Sequence, residues 1–466
     1  MNIIPHQHWT RVLSDHWGVS GQLDQLDGEY DLNFRVSGEI SAILKVMRPG
    51  CEDDLIDLQC SALSHIRSKS PDLPTPGFIP AQNGAAFIHV ADDNGDERIV
   101  WLQEWRTGKV YASFKPHSSA LIEDLGTKMG EMNEALADFE HPALARDFKW
   151  NLMQGGWINE ELSAITDPAR HKLLQQICQD FAAIKPVLED QPSVAIHNDI
   201  NDYNLLVSGS LEEAPKISGM IDLGDMCAAP RICDLAIAAA YIVLDHEDPK
   251  GALIALTCGY HARYPLSEQE LAMVWPLLRM RLAVSVVNST LMAQESDDPY
   301  VTISQAPAWR FLENSKIEPT SLLLALRVAC GFPVTTTAPA IQTWLTENRG
   351  SFAPVMGKDL SDLPIGSLSV EACANPQNPF EMSKAEAATL GADIGFKDQD
   401  WLAHYGEPRL VYTDAAFYNG PWKASNRRTV HLGVDVFMSA GTPVHSPMAA
   451  SVHHVEVRDG ELDYGG

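Results

Sequence analysis

Residues 195–207 constrain the fold of this chain more than any other stretch, because they hold polar side chains between two apolar runs. Ala195 and Ile196 precede a polar segment that begins at His197, and the apolar pattern resumes over 205–207. Short apolar runs separated by turn residues are typical of two strands joined by a loop. The pattern predicts strand, loop and strand, with any chemistry carried by the loop.

The predicted loop carries His197, Asp199 and Asn204, and a second carboxylate, Asp222, ends a later apolar segment. Phosphoryl transfer needs this combination. One Asp orients the attacking hydroxyl and accepts its proton, while an Asn amide oxygen and a second Asp hold magnesium on the phosphates. Asp and Asn are also ordinary turn residues. The spacing of three polar residue types, with a further carboxylate downstream, favours the catalytic interpretation.

Length and charge limit the classes of partner. A chain of 466 residues is expected to form roughly two or three domains, and 45% hydrophobic with 21% charged residues is typical of a globular protein in water. The net charge of −28 argues against nucleic acid and an anionic membrane surface as partners, because both attract basic proteins. An acidic surface favours a small cationic substrate, and a nucleoside triphosphate can still bind where magnesium neutralises its phosphates.

Cysteine spacing and apolar stretches indicate the compartment. The eight cysteines include no Cys-x-x-Cys pair, which suggests reduced thiols. No basic region followed by an apolar one opens the chain, so no secretory signal is expected. The longest apolar stretch, 235–244, is too short to cross a bilayer. These features predict a cytoplasmic protein.

Two predicted strands over 30–36 and 41–47 place Lys45 within an apolar run. Its ammonium either extends to the surface or binds an anion in the cleft. The presence of Asp199 and Asp222 favours anion binding, by analogy with the strand lysine of kinases. Residues 52–66 show helical spacing of apolar residues with acids in the first turn. Asp57 is the candidate acidic partner for Lys45 on this helix, and Gln59 stands where an acid is most expected.

Residues 99–108 predict a strand that runs into a glycine turn. Gln103, Glu104 and Trp105 are candidates for a hinge that offers backbone groups to a purine ring. An ordinary edge strand is the alternative interpretation of these residues.

Four helices are predicted around the loop: one from Ser118, one over 161–190, one from Arg231, and one from a capping box at 267–270 to about residue 293. Asp234, in the third helix, is expected to brace the loop by hydrogen bonds. Arg279, Arg281 and Asn288 lie on the fourth helix. Any of them could line a substrate pocket, but packing or solvated roles are expected for each singly.

The amino-acid composition and the apolar periodicity change beyond Cys330. Residues 331–406 are Pro-rich and poorly periodic, which predicts a linker or extended wrap. Residues 407–466 read as short strands, and His431 and Asp435 are expected to flank one strand with both side chains on the same face. Nitrogen and carboxylate ligands suit zinc, but two ligands are not a complete site.

These motifs resemble the aminoglycoside phosphotransferase and choline kinase superfamily, and within it the hydroxylysine kinases, over about residues 15–330. The resemblance implies an α+β, protein-kinase-like bilobal fold, with a small sheet lobe over 1–108 and a helical lobe with the catalytic loop over 109–330. The motifs that carry it are Asp31-Leu-Asn33-Phe34, Ala42-Ile-Leu-Lys45-Val, Gln103-Glu104-Trp105 with Gly108, His197-x-Asp199-x-x-x-x-Asn204, Ile221-Asp222-Leu-Gly-Asp225 and Asp234-Leu-Ala.

The resemblance implies a phosphotransferase with an alcohol group as acceptor. Its donor would be ATP or GTP with Mg²⁺, and its acceptor an amino alcohol or hydroxylated amino acid similar to hydroxylysine. The chain departs from the family pattern at Gln59 and at Trp150-Asn151-Leu, where Trp-Asp-Leu is frequent. Carried over to this sequence, the family's site residues are Asp199 as catalytic base, His197 and Asp234 as supporting residues, Lys45, Gln103, Glu104 and Trp105 at the nucleotide, and Asn204 and Asp222 at magnesium.

Residues 430–437 and 440–444 resemble the start of lysostaphin-like zinc endopeptidases. That family takes its remaining zinc ligand and catalytic histidine from a later His-x-His strand, which is absent here, and Ala450 stands where glycine is usual. The resemblance implies a truncated all-β domain over 407–466 that binds Zn²⁺ only if completed. A kinase followed by such a segment resembles bacterial fusions that continue, here beyond residue 466, into a class III aminotransferase.

Three alternatives stay open from the sequence. One is an aminoglycoside-type phosphotransferase, another is a zinc peptidase with a degenerate kinase-like module, and the third is a scaffold without catalysis. The presence together of Lys45, Asp199, Asn204 and Asp222 argues against degeneration.

Overall fold

A computed structural model describes residues 6–26, 28, 31–210, 213–294, 305–335, 337–367, 399–408, 430–453 and 455. The chain divides into two compact units, residues 1–336 and 337–466. The first unit contains all residues of the predicted phosphotransferase site, and the second contains the predicted zinc ligands.

The first unit opens with a small lobe built on one antiparallel sheet. The six strands of that sheet are ordered β1-β2-β3-β6-β4, and β5 also pairs with β6. The elements are α1 (His6–Trp17), β1 (Gly21–Leu26), β2 (Leu32–Gly38), β3 (Ser41–Val46), α2 (Asp53–Lys69), β4 (Phe78–Ile79), β5 (Phe87–Ala91) and β6 (Glu97–Glu104).

Alternation along β6 separates the two faces of this sheet. Val100 and Leu102 pack in the cluster that includes the core side chains of α1, whereas Ile99 and Trp101 pack in the cluster that includes those of α2. Lys45 on β3 is the register partner of Trp101, and its ammonium lies 5.5 Å from the Trp101 ring centroid. The sheet therefore directs Lys45 to the α2 face.

The larger lobe is mainly helical and carries two small antiparallel sheets, β10-β9-β7 and β11-β8. Its helices are α3 (Ser119–Ala135), α4 (Ile158–Glu161), α5 (Pro168–Glu189), α6 (Arg231–Ile242), α7 (Pro249–Arg263), α8 (Glu268–Met292), α9 (Gln305–Asn314) and α10 (Pro319–Ala329). Its strands are β7 (Lys109–Val110), β8 (Ser193–Ile196), β9 (Leu205–Ser208), β10 (Lys216–Met220) and β11 (Cys227–Pro230).

The local signals in the sequence predicted several of these elements correctly. Ser118 caps α3, with its hydroxyl accepting from the Leu121 N–H. Ser267 and Glu270 form the predicted capping box at the start of α8. The predicted strand, loop and strand at 195–207 are also confirmed. The two strands do not pair with each other, because β8 pairs with β11 and β9 pairs with β10.

The second unit contains α11 (Ala338–Glu347), β12 (Ile365–Gly366), β13 (Trp401–Ala403), β14 (Glu407–Pro408), β15 (Val430–His431) and β16 (Asp435–Phe437). The helix α11 departs from the predicted linker. Pro339 lies in its first turn, where the missing proline N–H costs no helical hydrogen bond. Much of the predicted β domain, at 409–429, 454 and 456–466, lies outside the described residues.

The helices can be compared with the length and apolarity that a membrane span requires. Within the part of the chain that the structure describes, no helix is both long and apolar enough to span a bilayer.

Two glycines allow α3 and α7 to pack with their backbones in close contact. A Cβ on Gly126 would clash with the carbonyl oxygen of Leu256, and a Cβ on Gly259 would clash with the carbonyl oxygen of Glu123. Backbone atoms cannot move aside as a flexible side chain can, so this contact requires glycine on both helices.

We predict that Gly259→Ala lowers the free energy of unfolding by about 1–3 kcal/mol, because the added methyl group forces α3 and α7 apart. Urea unfolding measures the change. Gly156→Ala is the control, since a Cβ there meets no atom within 4 Å, and we expect a change within about 0.5 kcal/mol. Equal effects of the two substitutions would contradict the close-packing explanation.

Candidate active site

Asp199 lies in the loop between β8 and β9 and is held by both carboxylate oxygens. Its Oδ1 accepts a hydrogen bond from Arg281 Nη2 at 3.0 Å. Its Oδ2 accepts from Asn201 Nδ2 at 2.9 Å and from Asn204 Nδ2 at 2.8 Å. Asn198, just before it, has a φ of 66°, a left-handed conformation that asparagine adopts more readily than most residues. The turn, the side chains of Asn201 and Asn204, and Arg281 together fix the direction of the carboxylate.

The carboxylate of Asp234, in the first turn of α6, is buried beneath this loop. It accepts hydrogen bonds from the backbone N–H groups of Asn198, at 2.8 Å, and His197, at 3.3 Å. It also accepts from Asn133 Nδ2 at 2.8 Å, and Asn133 Oδ1 in turn accepts from the Tyr260 hydroxyl at 2.8 Å. The loop backbone is thus tied to three helices of the larger lobe.

Asp222 follows β10 and faces Lys45, with 3.8 Å between Lys45 Nζ and Asp222 Oδ1. The Lys45 ammonium lowers the pKa of Asp222, against the effect of burial. Asp57 is not the partner of Lys45 that the sequence suggested. Its carboxylate accepts from His141 Nε2 at 3.1 Å, because the register of α2 turns Asp57 outward, with over half of its side chain exposed.

Backbone pairing brings Asn204 beside Asp222. The Ile221 N–H donates to the Asn204 carbonyl at 3.0 Å, and His197 Nε2 lies 3.1 Å from the Ile221 carbonyl oxygen. The Asn204 side-chain NH₂ donates to both Asp199 O and Oδ2. Its amide oxygen takes part in neither bond and can serve a cation. An amide oxygen and a carboxylate are oxygen ligands of the kind Mg²⁺ prefers, so these residues fit that ion.

Burial raises the pKa of Asp199 to about 7, and the neighbouring Asp225 and Asp222 carboxylates act in the same direction. The Arg281 guanidinium opposes this rise. Burial also raises the pKa of Asp225, which lies 3.8 Å from Arg146 Nη2. The Asp222 pKa moves the other way, and two carboxylates with diverging pKa values are typical of a site that divides the work between an ionised ligand and a base.

The predicted hinge residues are mostly engaged within the small lobe. The Glu104 carboxylate binds the Arg67 guanidinium through two hydrogen bonds and accepts from the Gly77 N–H at 3.0 Å, and the bond to Arg67 lowers its pKa. The backbone N–H groups of Glu104 and Trp105 donate to the carbonyls of Gly77 and Ser41.

Gln103 differs from its hinge neighbours. It is buried, and its Nε2 has no hydrogen-bond partner among the residues that the structure describes. It follows Trp101 by two positions in β6 and so shares the sheet face of Lys45.

The predicted zinc ligands come close together in the second unit, with 3.5 Å between His431 Nε2 and Asp435 Oδ1. They do not flank one strand as predicted, since His431 ends β15 and Asp435 begins β16. Within the described ranges, no group of three or more His, Cys, Asp or Glu side chains is placed to hold a metal ion. The described part of this unit therefore does not support the predicted zinc site.

Sequence reasoning missed Arg281 and Asn201 as neighbours of Asp199. Arg281 was expected to play a packing or solvated role, and it lies 82 residues after Asp199 in the chain. A buried arginine on a long apolar helix is a signal of a specific anionic partner, but the sequence does not show which one. Asn201 lies within the motif itself, and its contact with Asp199 depends on the turn conformation.

We predict that Asp234→Asn lowers the free energy of unfolding by about 3 kcal/mol, because an amide NH₂ replaces one acceptor oxygen facing the buried N–H groups. Urea unfolding is the measurement. The control is Asp245→Asn, which removes an ion pair to Arg310 in which both side chains are 55% exposed. The control is expected to cost less than about 1 kcal/mol, and a similar small cost for Asp234→Asn would refute the bracing role.

The raised pKa of Asp199 predicts a pH dependence of stability without nucleotide or Mg²⁺. The folded state binds this proton more tightly than the unfolded state, where the Asp pKa is about 3.9. Stability is therefore lost as pH rises between those two pKa values. Relative to Asp199→Asn, which removes the titration, the wild type should lose about 2 kcal/mol between pH 5 and pH 8. Urea unfolding at both pH values tests this, and parallel pH dependence of the two proteins would contradict it.

Comparison with known proteins gives relatives in both sequence and fold. A hydroxylysine kinase of Danio rerio is 24% identical over 326 residues, which cover 66% of this chain and 90% of that protein. A hydroxylysine kinase of Xenopus laevis is 25% identical over 276 residues, which cover 56% of this chain and 73% of that protein.

The structure of the amicoumacin kinase hAmiN in complex with AMP-PNP, Ca²⁺ and Ami resembles this one with a TM-score of 0.50 and 16% identity. The similarity covers 68% of this chain and 97% of that one. It confirms the predicted kinase-like fold of a sheet lobe and a helical lobe.

The model of the phosphotransferase enzyme family APH matches residues 24–270, more than half of the chain. The matched range holds Lys45, the loop with Asp199 and Asn204, Asp222 and Asp234. The chain belongs to this phosphotransferase family and is a small-molecule kinase that transfers phosphate to a hydroxyl group.

Proposed function

We propose that this chain is a magnesium-dependent kinase that transfers the terminal phosphate of ATP or GTP to the hydroxyl of an amino alcohol or hydroxylated amino acid similar to hydroxylysine. The observation that carries the proposal is the convergence of Asp199, Asn204 and the Lys45–Asp222 pair at one site. Similarity to the hydroxylysine kinase of Danio rerio over most of its length supports the acceptor class.

Asp222 and Asn204 would hold magnesium through the carboxylate and the amide oxygen. When bound, the ion neutralises charge on the phosphates of the donor. Lys45 would contribute a further positive charge to the phosphates, from a strand position that places its ammonium 5.5 Å from the Trp101 ring centroid. The buried amide of Gln103, on the same sheet face, supports a role as hydrogen-bond donor to the purine. The Glu104 carboxylate is bound to Arg67, so Glu104 would contribute to the hinge through its backbone.

The reaction joins the acceptor oxygen to the terminal phosphorus and breaks the bond from that phosphorus to the bridging oxygen. The acceptor hydroxyl gives its proton to the Asp199 carboxylate. The electron pair of the broken bond stays on the departing nucleoside diphosphate. Positioning and charge neutralisation supply most of the rate in such a transfer, because the protein forms no covalent bond to the phosphate.

The charge of the protein favours an acceptor that carries an ammonium group. The net charge of −28 attracts small cations. Near the base, Asp225 lies 3.8 Å from Arg146, beyond hydrogen-bond distance, and its carboxylate can receive such a group.

We predict that a screen of hydroxylated amines and amino acids with ATP and GTP finds turnover for an acceptor that carries both a hydroxyl and an amine, measured as nucleoside diphosphate release. Asp199→Asn should reduce turnover at least about 100-fold, because the base is lost, and leave nucleotide affinity nearly unchanged. Isothermal titration with Mg²⁺ and a non-hydrolysable analogue measures the affinity.

The matched control is Asp190→Asn, an exposed carboxylate at the end of α5 that should not alter turnover. Turnover by Asp199→Asn at the wild-type rate would exclude Asp199 as the base. Phosphorylation of aminoglycosides in preference to small hydroxylated amines would overturn the acceptor class.

A further inference from the structure

Arg281, in the larger lobe, is a basic side chain that is almost completely buried, with 2% of its surface exposed. It lies in the middle of α8, a long helix of which most residues are buried. A charged group in such a position costs desolvation energy, and an apolar side chain of similar volume would often stabilise the fold as well or better. The placement of Arg281 therefore calls for a function other than stability.

Aromatic side chains and a backbone carbonyl fix the guanidinium of Arg281. Its central carbon lies 4.6 Å from the Trp150 ring centroid and 5.6 Å from that of Tyr241. Its Nη1 donates to the Trp150 carbonyl oxygen at 3.2 Å. The same carbonyl accepts from Asn198 Nδ2 at 3.3 Å. A guanidinium held by stacking and by this hydrogen bond presents its remaining donors in a set direction.

One of those donors points at the base of the reaction. Arg281 Nη2 donates to Asp199 Oδ1 at 3.0 Å. The other oxygen, Oδ2, takes the amides of Asn201 and Asn204. Among the residues that the structure describes, Arg281 thus supplies the hydrogen bond to Oδ1, and it does so from an element other than the loop itself.

The Arg281 contact also limits how far the Asp199 carboxylate can rotate toward the proposed metal ligands. Asp222 pairs with Lys45, and Asn204 can direct its amide oxygen to the cation. A carboxylate free to rotate beside a divalent cation would turn toward it and lose its alignment with the acceptor hydroxyl. The Arg281 guanidinium holds Oδ1 and opposes this rotation.

We propose that Arg281 is a positioning residue for phosphoryl transfer, which fixes the orientation of the Asp199 carboxylate toward the acceptor and acts through Asp199. This inference rests on the proposed function. It requires that loss of Arg281 slows the transfer itself and leaves the binding of donor and acceptor nearly intact.

The test is steady-state kinetics of Arg281→Met and Arg281→Ala with the acceptor found in the screen. We expect kcat to fall about 100-fold, as for small misplacements of reacting groups. The KM values for nucleotide and acceptor should stay within about threefold of the wild type. Guanidinium chloride at millimolar concentration should restore at least part of the kcat of Arg281→Ala, because the ion can occupy the vacated space, whereas ammonium chloride should not.

Arg279→Met is the matched control. Arg279 lies two residues earlier on α8 and pairs with Asp180 at 2.9 Å, away from the loop. Its loss should lower the melting temperature without changing kcat. Should Arg281→Met fail to fold, Arg281→Gln, which keeps a polar side chain, takes its place in the same comparison.

Several outcomes would overturn the inference while the proposed function stands. Wild-type kcat in a folded Arg281 variant would exclude the positioning role. A raised acceptor KM at unchanged kcat would make Arg281 a substrate-binding residue. If guanidinium does not restore kcat and Arg279→Met lowers kcat by a similar factor, the loss of activity would be due to reduced stability and not to the positioning of Asp199. Absence of turnover in the wild-type protein would instead refute the proposed function.

Discussion

The buried carboxylate of Asp234 is the contact on which the geometry of the active site depends. It accepts from two successive backbone N–H groups of the loop, and without it both donors would be buried and unpaired. Its own position is set by Asn133 on α3 and, through Asn133, by Tyr260 on α7. Those two helices pack closely at Gly126 and Gly259. Their relative position is therefore linked to the loop by hydrogen bonds that run through Tyr260, Asn133 and Asp234.

Each carboxylate at the site faces a cation from a distant part of the chain. Asp222 pairs with Lys45 of the small lobe, and Asp199 with Arg281 of α8. These partners have unequal effects: Lys45 lowers the pKa of Asp222, whereas burial keeps that of Asp199 raised. One carboxylate is thus prepared to remain ionised beside a metal ion, and the other has a proton affinity near neutrality, as suits a base.

Prediction from sequence succeeded where the signal was local. The capping box of α8, the paired strands around Lys45 and the loop at 195–207 follow from residue type and spacing within short windows. It failed where the partner was remote or the composition ambiguous. Which acid faces Lys45 is an example, since Asp57 on α2 was the candidate, but Asp57 binds His141 and the partner of Lys45 is Asp222. The Pro-rich composition of 331–406 suggested a linker, but Pro339 lies in the first turn of α11, where proline is well tolerated.

By itself, the sequence determined the chemistry of this protein: the residue types and spacing of the loop specify phosphoryl transfer, because few other reactions need that set of ligands and base. Only the tertiary structure decided how Asp199, the proposed base, is held. Arg281 donates a hydrogen bond to Asp199 although 82 positions separate them in the sequence, and Asn133 donates to Asp234 across a separation of 101 positions. Such contacts depend on how helices pack, which is set by the summed burial of many side chains and leaves no local pattern around either partner.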